Sequence, residues 1–334
     1  MIAWAARLVN VAIVVVICVV LLGAWTRINN AGLSCPDWPG CYGQLIVTNE
    51  MGRLSEVQEV FPSVPIEIDK VWLEMGHRYL AGSLGMLILG LAIIAYRVRS
   101  VPGYPQFLSY CALVLVVVQA AFGMWTVTLK LLPQIVTLHL LGGVLTLTTL
   151  VLLRLRLKRV LNGVSSSNTS IRKWLLGAVL IVLMQIVLGG WTSANYAGYG
   201  CNDWLVCSQS NELEPNYAEG FNLVVKIGPN YEGGVLPVEA RAAIQIIHRV
   251  GAVVVFVYCM ILVLVLWRLS RLRKALLSVI GILICQLALG SLIAVFSVPT
   301  TLAMLHHLFA ILLLLSLLGL YSKVRVVFRG TDYE

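Results

Sequence analysis

Eight stretches of this chain are apolar for about 20 residues each, the length needed to cross the hydrocarbon core of a bilayer. They run roughly over Val9–Trp25, Tyr79–Tyr96, Phe107–Leu129, Pro133–Leu153, Trp174–Ser193, Ala242–Trp267, Ala275–Ser297 and Thr300–Tyr321. In lipid every backbone polar group must be satisfied within the protein, so runs of this length are expected to be helices. Composition agrees. Only 12% of the 334 residues are charged, against about 25% in soluble domains. The first run is longer than a removable signal peptide and lacks a small-residue cleavage site, so it reads as a span. The fold class expected is an all-α membrane protein of eight transmembrane helices.

Charge orients the bundle. With the N-terminus in the cytoplasm, the inner segments hold Arg7, Arg97, Arg99, Arg154, Arg156, Lys158, Arg159, Arg172, Lys173, Arg268, Arg271, Arg273, Lys274, Lys323, Arg325 and Arg329. That is 16 of the 24 basic residues, whereas Asp332 and Glu334 are the only acids on that side. The positive-inside rule therefore places both termini in the cytoplasm. The net charge of +9 is accounted for by topology, and no nucleic-acid partner is needed to explain it. Two long loops, about Arg27–Trp72 and Ala194–Arg241, lie on the opposite side and carry most of the acids.

Both long loops begin with the same text. Trp25, Thr26, Asn29, Ala31, Gly32, Cys35, Asp37, Trp38 and Cys41 match Trp191, Thr192, Asn195, Ala197, Gly198, Cys201, Asp203, Trp204 and Cys207 at a constant offset of 166. Gln119 and Gly123 match Gln286 and Gly290, and His139 matches His306, at offset 167. His77 and Arg78 match His248 and Arg249 at offset 171. The chain thus reads as two four-helix bundles in parallel repeat, related by an axis along the membrane normal. The expected division is 1–160 for the N-terminal half, 161–171 for a cytoplasmic linker and 172–334 for the C-terminal half. Glutamine and glycine also recur as Gln-x3-Gly in the third, fifth and seventh spans (Gln119–Gly123, Gln185–Gly189, Gln286–Gly290). The glycines read as close helix packing, with no chemistry attached.

Four of the eight cysteines, Cys18, Cys111, Cys259 and Cys285, lie inside spans, where a thiol packs as a small apolar group. The others form two Cys-x5-Cys pairs on the oxidising side, where disulfides persist. Each pair reads as a staple at the start of a long loop, with a redox role for Cys35 and Cys41 left open. No histidine accompanies either pair in its loop, which argues against a metal site.

The five histidines are His77, His139, His248, His306 and His307. All belong to even-numbered spans and sit near the starts of those spans. His139 follows Pro133 by six residues and His306 follows Pro299 by seven, which is roughly 10 Å of helix rise. Each half then offers two imidazoles from two helices at similar depth. Ionisable groups within spans are rare and tend to be functional. Two facing imidazoles in a helix bundle suit an iron porphyrin, one ligand per axial face. His77 with His139, and His248 with His306, are the expected pairs. His307 points about 100° away from His306 and reads as a packing or interface residue. Glu74 lies three residues before His77, on the same helical face, whereas the matching position before His248 is the neutral Gln245. Glu74 reads either as a solvated carboxylate at the membrane surface or as a proton-handling group beside a reacting ligand. Arg78 and Arg249 either snorkel to the interface or pair with porphyrin propionates.

Glu-x-x-His-Arg at 74–78, the histidines at 139, 248 and 306, and "GLSCPDWPGC" at 32–41, set in eight spans and two halves, resemble the haem A synthase family. The resemblance covers nearly the whole chain. It implies an oxidoreductase of a bacterial cytoplasmic (inner) membrane that oxidises the C8 methyl of haem o to a formyl group, through an alcohol, in haem A biosynthesis for cytochrome c oxidase. It implies haem b as cofactor with His248 and His306 as axial iron ligands, and substrate haem o held between His77 and His139. Glu74 would be the catalytic carboxylate, Cys35–Cys41 the disulfide associated with activity, and Cys201–Cys207 a second, structural disulfide. Expected partners are haem o, haem O synthase, an electron acceptor and membrane lipid, with a homo-oligomer left open.

Two other readings compete. A dihaem b-type quinol oxidoreductase would use similar histidine pairs, but moving electrons across the membrane calls for ligands near both faces, and all four histidines lie towards one. A transporter would favour helices broken near mid-membrane, and Pro133 and Pro299 stand at span ends instead.

Overall fold

The computed structural model describes residues 1–47, 66–161, 170–201 and 214–327. Among them are eight long helices, each long and apolar enough to cross a membrane. They are α1 (Ile2–Ile28), α2 (Ile68–Arg97), α3 (Gln106–Thr128), α4 (Pro133–Leu161), α5 (Ser170–Ala194), α6 (Val238–Leu266), α7 (Arg273–Val295) and α8 (Thr300–Val327). No strand occurs among the described residues; a one-turn helix, Tyr217–Gly220, lies in the second long loop. The expectation of an all-helical protein with eight spans is met.

The helices are apolar all round, as lipid requires. On α1 the residues Ala5, Val9, Ala12, Val16 and Val20, spaced three or four apart, form the buried stripe. Val11 and Val14 on the same helix are more than half exposed, as lipid-facing side chains are in a protein seen without its bilayer. The hydropathy runs located every helix but understated several starts. α2 begins at Ile68, eleven residues before Tyr79. The helix continues past its apolar window because its ladder of backbone hydrogen bonds satisfies itself in or out of lipid.

The chain divides into two compact units, Met1–Leu157 with Val224–Gly233, and Lys158–Leu223 with Gly234–Glu334. In the first unit α2 packs on α1 and on α3. α4 lies against α1, where Gly143 faces the Val20 side chain and Arg154 donates to the Asn10 carboxamide oxygen at 2.6 Å. In the second unit α5 packs on α6 and α8, and α7 on α8.

Helix ends in the two units use similar devices. α1, α3 and α7 close with an N–H bonding the carbonyl five residues back: Ala31 to Thr26, Leu131 to Thr126 and Val298 to Ile293. This bond needs a residue in the left-handed region just beyond the helix. Asn30 and Lys130 supply it with φ near 50°, and Ser297 with φ 56°. Tyr196, 166 residues after Asn30, has φ 52°. Leu131 and Val298, 167 apart, share φ 59°. A Cβ on Gly32 would meet the Leu131 side chain at 3.2 Å, and one on Gly198 would meet Val298 at 3.1 Å. The segment Val224–Gly233 joins the first unit through Tyr231, whose N–H donates to the Lys130 carbonyl at 3.1 Å and whose ring packs with Leu131 and Leu132.

Candidate active site and haem sites

Helix α2 places Glu74, His77 and Arg78 on neighbouring turns, because residues three and four apart share a helix face. The first loop folds down over this face. Glu74 is buried. Its Oε2 accepts the backbone N–H of Cys35 at 2.9 Å, and its Oε1 accepts from Arg78 Nη2 at 2.5 Å. Arg78 Nη1 donates to the carbonyls of Asp37 at 2.9 Å and Pro39 at 3.3 Å, and also to that of Gly40. One guanidinium thus joins the carboxylate to the loop.

The loop is itself well determined. Cys35 and Cys41 are disulfide-bonded with their Cα atoms 4.8 Å apart, as expected of the first cysteine pair. Asp37 accepts the N–H groups of Tyr42 at 2.6 Å and Gly43 at 2.7 Å, and Cys41 and Gln44 exchange two backbone hydrogen bonds. Cys35, Cys41, Tyr42 and Val47 pack with Val71 and Met75 of α2. The Tyr42 phenol is held above the ordinary tyrosine value, first by burial and then by the charges of Glu74 and Asp37.

Two histidine pairs lie deeper. His77 on α2 faces His139 on α4, with ring centroids 6.3 Å apart and planes 82° apart. His248 on α6 faces His306 on α8, with centroids 6.4 Å apart and planes 74° apart. His306 therefore occupies the facing position, and the adjacent His307 does not. Each ring rests against a glycine of the preceding helix. A Cβ on Gly23 would come within 2.9 Å of His77, one on Gly123 within 3.5 Å of His139, one on Gly189 within 3.3 Å of His248 and one on Gly290 within 3.0 Å of His306.

These residues fit haem. Two imidazoles bound to opposite faces of one metal, each through a nitrogen about 2 Å from it, have ring centres about 6 Å apart. Both pairs meet that distance. The angle between the rings is not constrained, because each can turn about its own metal–nitrogen bond. His139 Nδ1 and His306 Nδ1 are buried without a hydrogen-bond partner, which a ligand role would explain.

The chain matches the COX15-CtaA family, described as cytochrome oxidase assembly protein, over residues 6–318. It belongs to that family. It is 38% identical over 313 residues to the Heme A synthase of Shewanella oneidensis, covering 93% of each chain. It is 26% identical to the Heme A synthase of Rhizorhabdus wittichii, over 91% of this chain and 89% of that one. With the Heme A synthase of Caulobacter vibrioides it shares 27% identity over 90% of each. Together with the eight apolar helices, family membership makes this a multi-pass membrane protein.

Of the residues expected at the site, the structure brings Glu74, His77, Arg78 and the Cys35–Cys41 loop together in the first unit, with His139 opposite His77. In the second unit His248 and His306 face each other, and Arg249 follows His248 on α6. Gln245, at the position matching Glu74, is buried. Cys201 is buried too, and the Cys201–Cys207 pairing falls on Cys207, outside the described residues. Sequence reasoning passed over the glutamines. Gln185 Nε2 lies 3.1 Å from His248 Nδ1 and donates to the His248 carbonyl at 2.9 Å, while Gln286 Nε2 lies 3.3 Å from His306 Nε2. Their signal was the recurring Gln-x3-Gly spacing, which reads as packing until the histidine opposite is known.

Proposed function

We propose that this chain is a haem A synthase, oxidising the C8 methyl of haem o to a formyl group. The observation that carries the reading is the asymmetry between two otherwise similar histidine pairs: His77 and His139 have a buried carboxylate, Glu74, one turn away, and His248 and His306 have Gln245 instead. The shared family and the name carried by the relatives support it.

On this reading His77 and His139 hold substrate haem o, and His248 and His306 hold haem b, which supplies a one-electron carrier when bound. With water as the oxygen source, converting a methyl to a formyl group through the alcohol releases four electrons and four protons. With dioxygen as the source, the same four electrons reduce it, one oxygen entering the formyl group and the other leaving as water. Glu74 is the proton acceptor. The carboxylate takes hydrogen bonds from the Cys35 and Ser34 backbone N–H groups and from Arg78, and with about four acceptor positions on a carboxylate capacity remains for a proton from the substrate. Arg78 keeps the carboxylate in place and closes the loop above it. The glycines beneath the rings hold the imidazoles in position. Arg249 serves a propionate, and Arg78, whose Nη1 and Nη2 already bind the loop and Glu74, could do so only alongside those bonds.

The same proposal takes the two halves as a parallel repeat divided at 161–171, supported by the matched left-handed residues and the matched glycine contacts. Both termini lie in the cytoplasm of a bacterium, with the haem sites toward the periplasmic face of the inner membrane. Cys201 and Cys207 form the second disulfide. Haem O synthase delivers the substrate, and a separate acceptor removes the electrons.

The test is porphyrin extraction from purified wild type and Glu74→Ala. Wild type should yield haem b together with haem o, the alcohol or haem a. Glu74→Ala should retain haem and accumulate haem o or the alcohol. Normal haem a output from that variant would remove Glu74 from its role, and wild type carrying only haem b would sink the synthase reading.

A further inference from the structure

The two histidine pairs differ in what holds their rings. In the C-terminal pair both imidazoles have a glutamine amide at a ring nitrogen, Gln185 at His248 and Gln286 at His306. In the N-terminal pair, among the described residues, neither ring has such a partner. Gln119 stands four residues before Gly123, yet its amide lies against Gly142, one turn beyond His139, and makes no hydrogen bond to the ring. On α1 the position four before Gly23 is Val19, which has no amide to offer His77. Gly251, three residues after His248, leaves the space that Gln185 fills, and a Cβ there would collide with Gln185 Oε1. Gly142, three residues after His139, leaves the room that Gln119 fills, so space for an amide exists at one ring of each pair, and the difference lies in whether the amide reaches the ring. The residue three after His77 is Leu80.

A histidine that ligates a metal through one nitrogen is fixed in tautomer and orientation by a hydrogen bond to the other. An amide suits this task because it has a donor end and an acceptor end, and which end faces the ring is a matter of a half-turn. The Oε1 atoms of Gln185 and Gln286 are buried with no partner. Turned toward the ring, Gln286 Oε1 would accept the His306 Nε2–H and leave Nδ1 with a lone pair for iron. The same turn at Gln185 frees His248 Nε2 for iron and exchanges the amide's 2.9 Å bond to the His248 carbonyl for one from the Nδ1–H. Losing such a partner typically weakens metal binding by about 10–100-fold.

We propose that Gln185 and Gln286 are positioning residues that make His248–His306 the retaining haem site, and that His77–His139, whose rings have no amide partner, is the exchanging one. The inference rests on reading the two pairs as haem sites. It assigns the chain's own division between a resident group and a passing substrate to two side chains. A resident electron carrier has to stay through many turnovers, and a substrate of the same shape has to leave after each one. Identical ligand pairs cannot do both, so the difference has to come from the surroundings of the ligands.

The experiment loads full-length protein with haem in detergent, adds excess apomyoglobin as acceptor, and follows haem loss, the reduction midpoint and the low-spin spectrum. Wild type should lose haem in a fast phase and a slow one. Gln185→Val with Gln286→Val should speed the slow phase by about 10-fold or more and shift the midpoint and spectrum of the retained haem. Val19→Gln with Leu80→Gly, which builds the amide and its space into the first half, should slow the fast phase by a comparable factor. The proposal falls if the folded double valine variant keeps the wild-type slow phase, midpoint and spectrum. Should that variant not fold, an unchanged fast phase in Val19→Gln/Leu80→Gly overturns it. Two-phase loss in a protein that makes no haem a would sink the synthase reading and leave this one standing. Absence of bound haem in wild type would overturn both.

Discussion

Glu74 Oε2 accepts the backbone N–H of Cys35 at 2.9 Å, across 39 residues of sequence. The carboxylate of the second span and the disulfide of the first loop are therefore one hydrogen-bonded unit, with Arg78 as its second tie. Whatever loosens the loop also moves the carboxylate.

Removing the disulfide should show this. Cys35→Ser with Cys41→Ser frees a six-residue loop, which chain-entropy arguments value at about 2 kcal/mol. The thermal midpoint should fall, and haem a output should fall with it while haem content is retained. Unchanged output in a variant proven to lack the disulfide would separate Glu74 from the loop.

Arg78→Lys tests the guanidinium fork. A lysine ammonium is a point charge and cannot bridge one carboxylate and three carbonyls in a fixed plane. Haem a output should fall at least about 10-fold, the scale of losing one charged hydrogen bond, and proteolysis in the loop should accelerate. Wild-type output and wild-type protease resistance would both count against the clamp.

The glycines beneath the histidines form a graded series. A methyl at Gly23 would come within 2.9 Å of His77 and one at Gly290 within 3.0 Å of His306, whereas at Gly123 the distance to His139 is an ordinary 3.5 Å. Gly23→Ala and Gly290→Ala should push an imidazole off its rotamer, at about 1 kcal/mol, and lower haem occupancy at their own site. Gly123→Ala should bind haem as wild type does. Haem content per protein, read from the visible spectrum, decides it; equal loss in all three would contradict the geometry.

Tyr42 supplies a pH dependence. Its phenol titrates above the ordinary tyrosine value because burial, and then the charges of Glu74 and Asp37, disfavour the phenolate. The folded state thus binds this proton more tightly than the unfolded one. The corresponding stability is fully present below pH about 10 and is lost as pH rises through the raised value. Tyr42→Phe, which has no proton to lose, should flatten that alkaline part of the stability curve, as measured by thermal midpoint against pH.

How much of this was legible in the residues can be judged helix by helix. Length and apolarity alone located all eight spans, because the bilayer leaves helices as the natural way to satisfy so many backbone groups. The offsets of 166, 167 and 171 picked out the four histidines that do face one another, and they favoured His306 over His307. The Cys35–Cys41 pairing was expected from the spacing and from the side of the membrane that the charge pattern predicts. What the sequence could not reveal was reach. α2 runs eleven residues beyond its apolar window, and Arg78 spends its fork on Glu74 and three loop carbonyls, contacts that depend on how a loop folds back across some 40 residues. Gln185 and Gln286 read as packing along one helix and become partners of His248 and His306 only when a second helix is laid beside them. Spans are local, set by each segment's own exchange with lipid. The surroundings of a ligand are made by neighbouring helices, so tertiary structure alone decides which histidines have an amide at the ring and which do not.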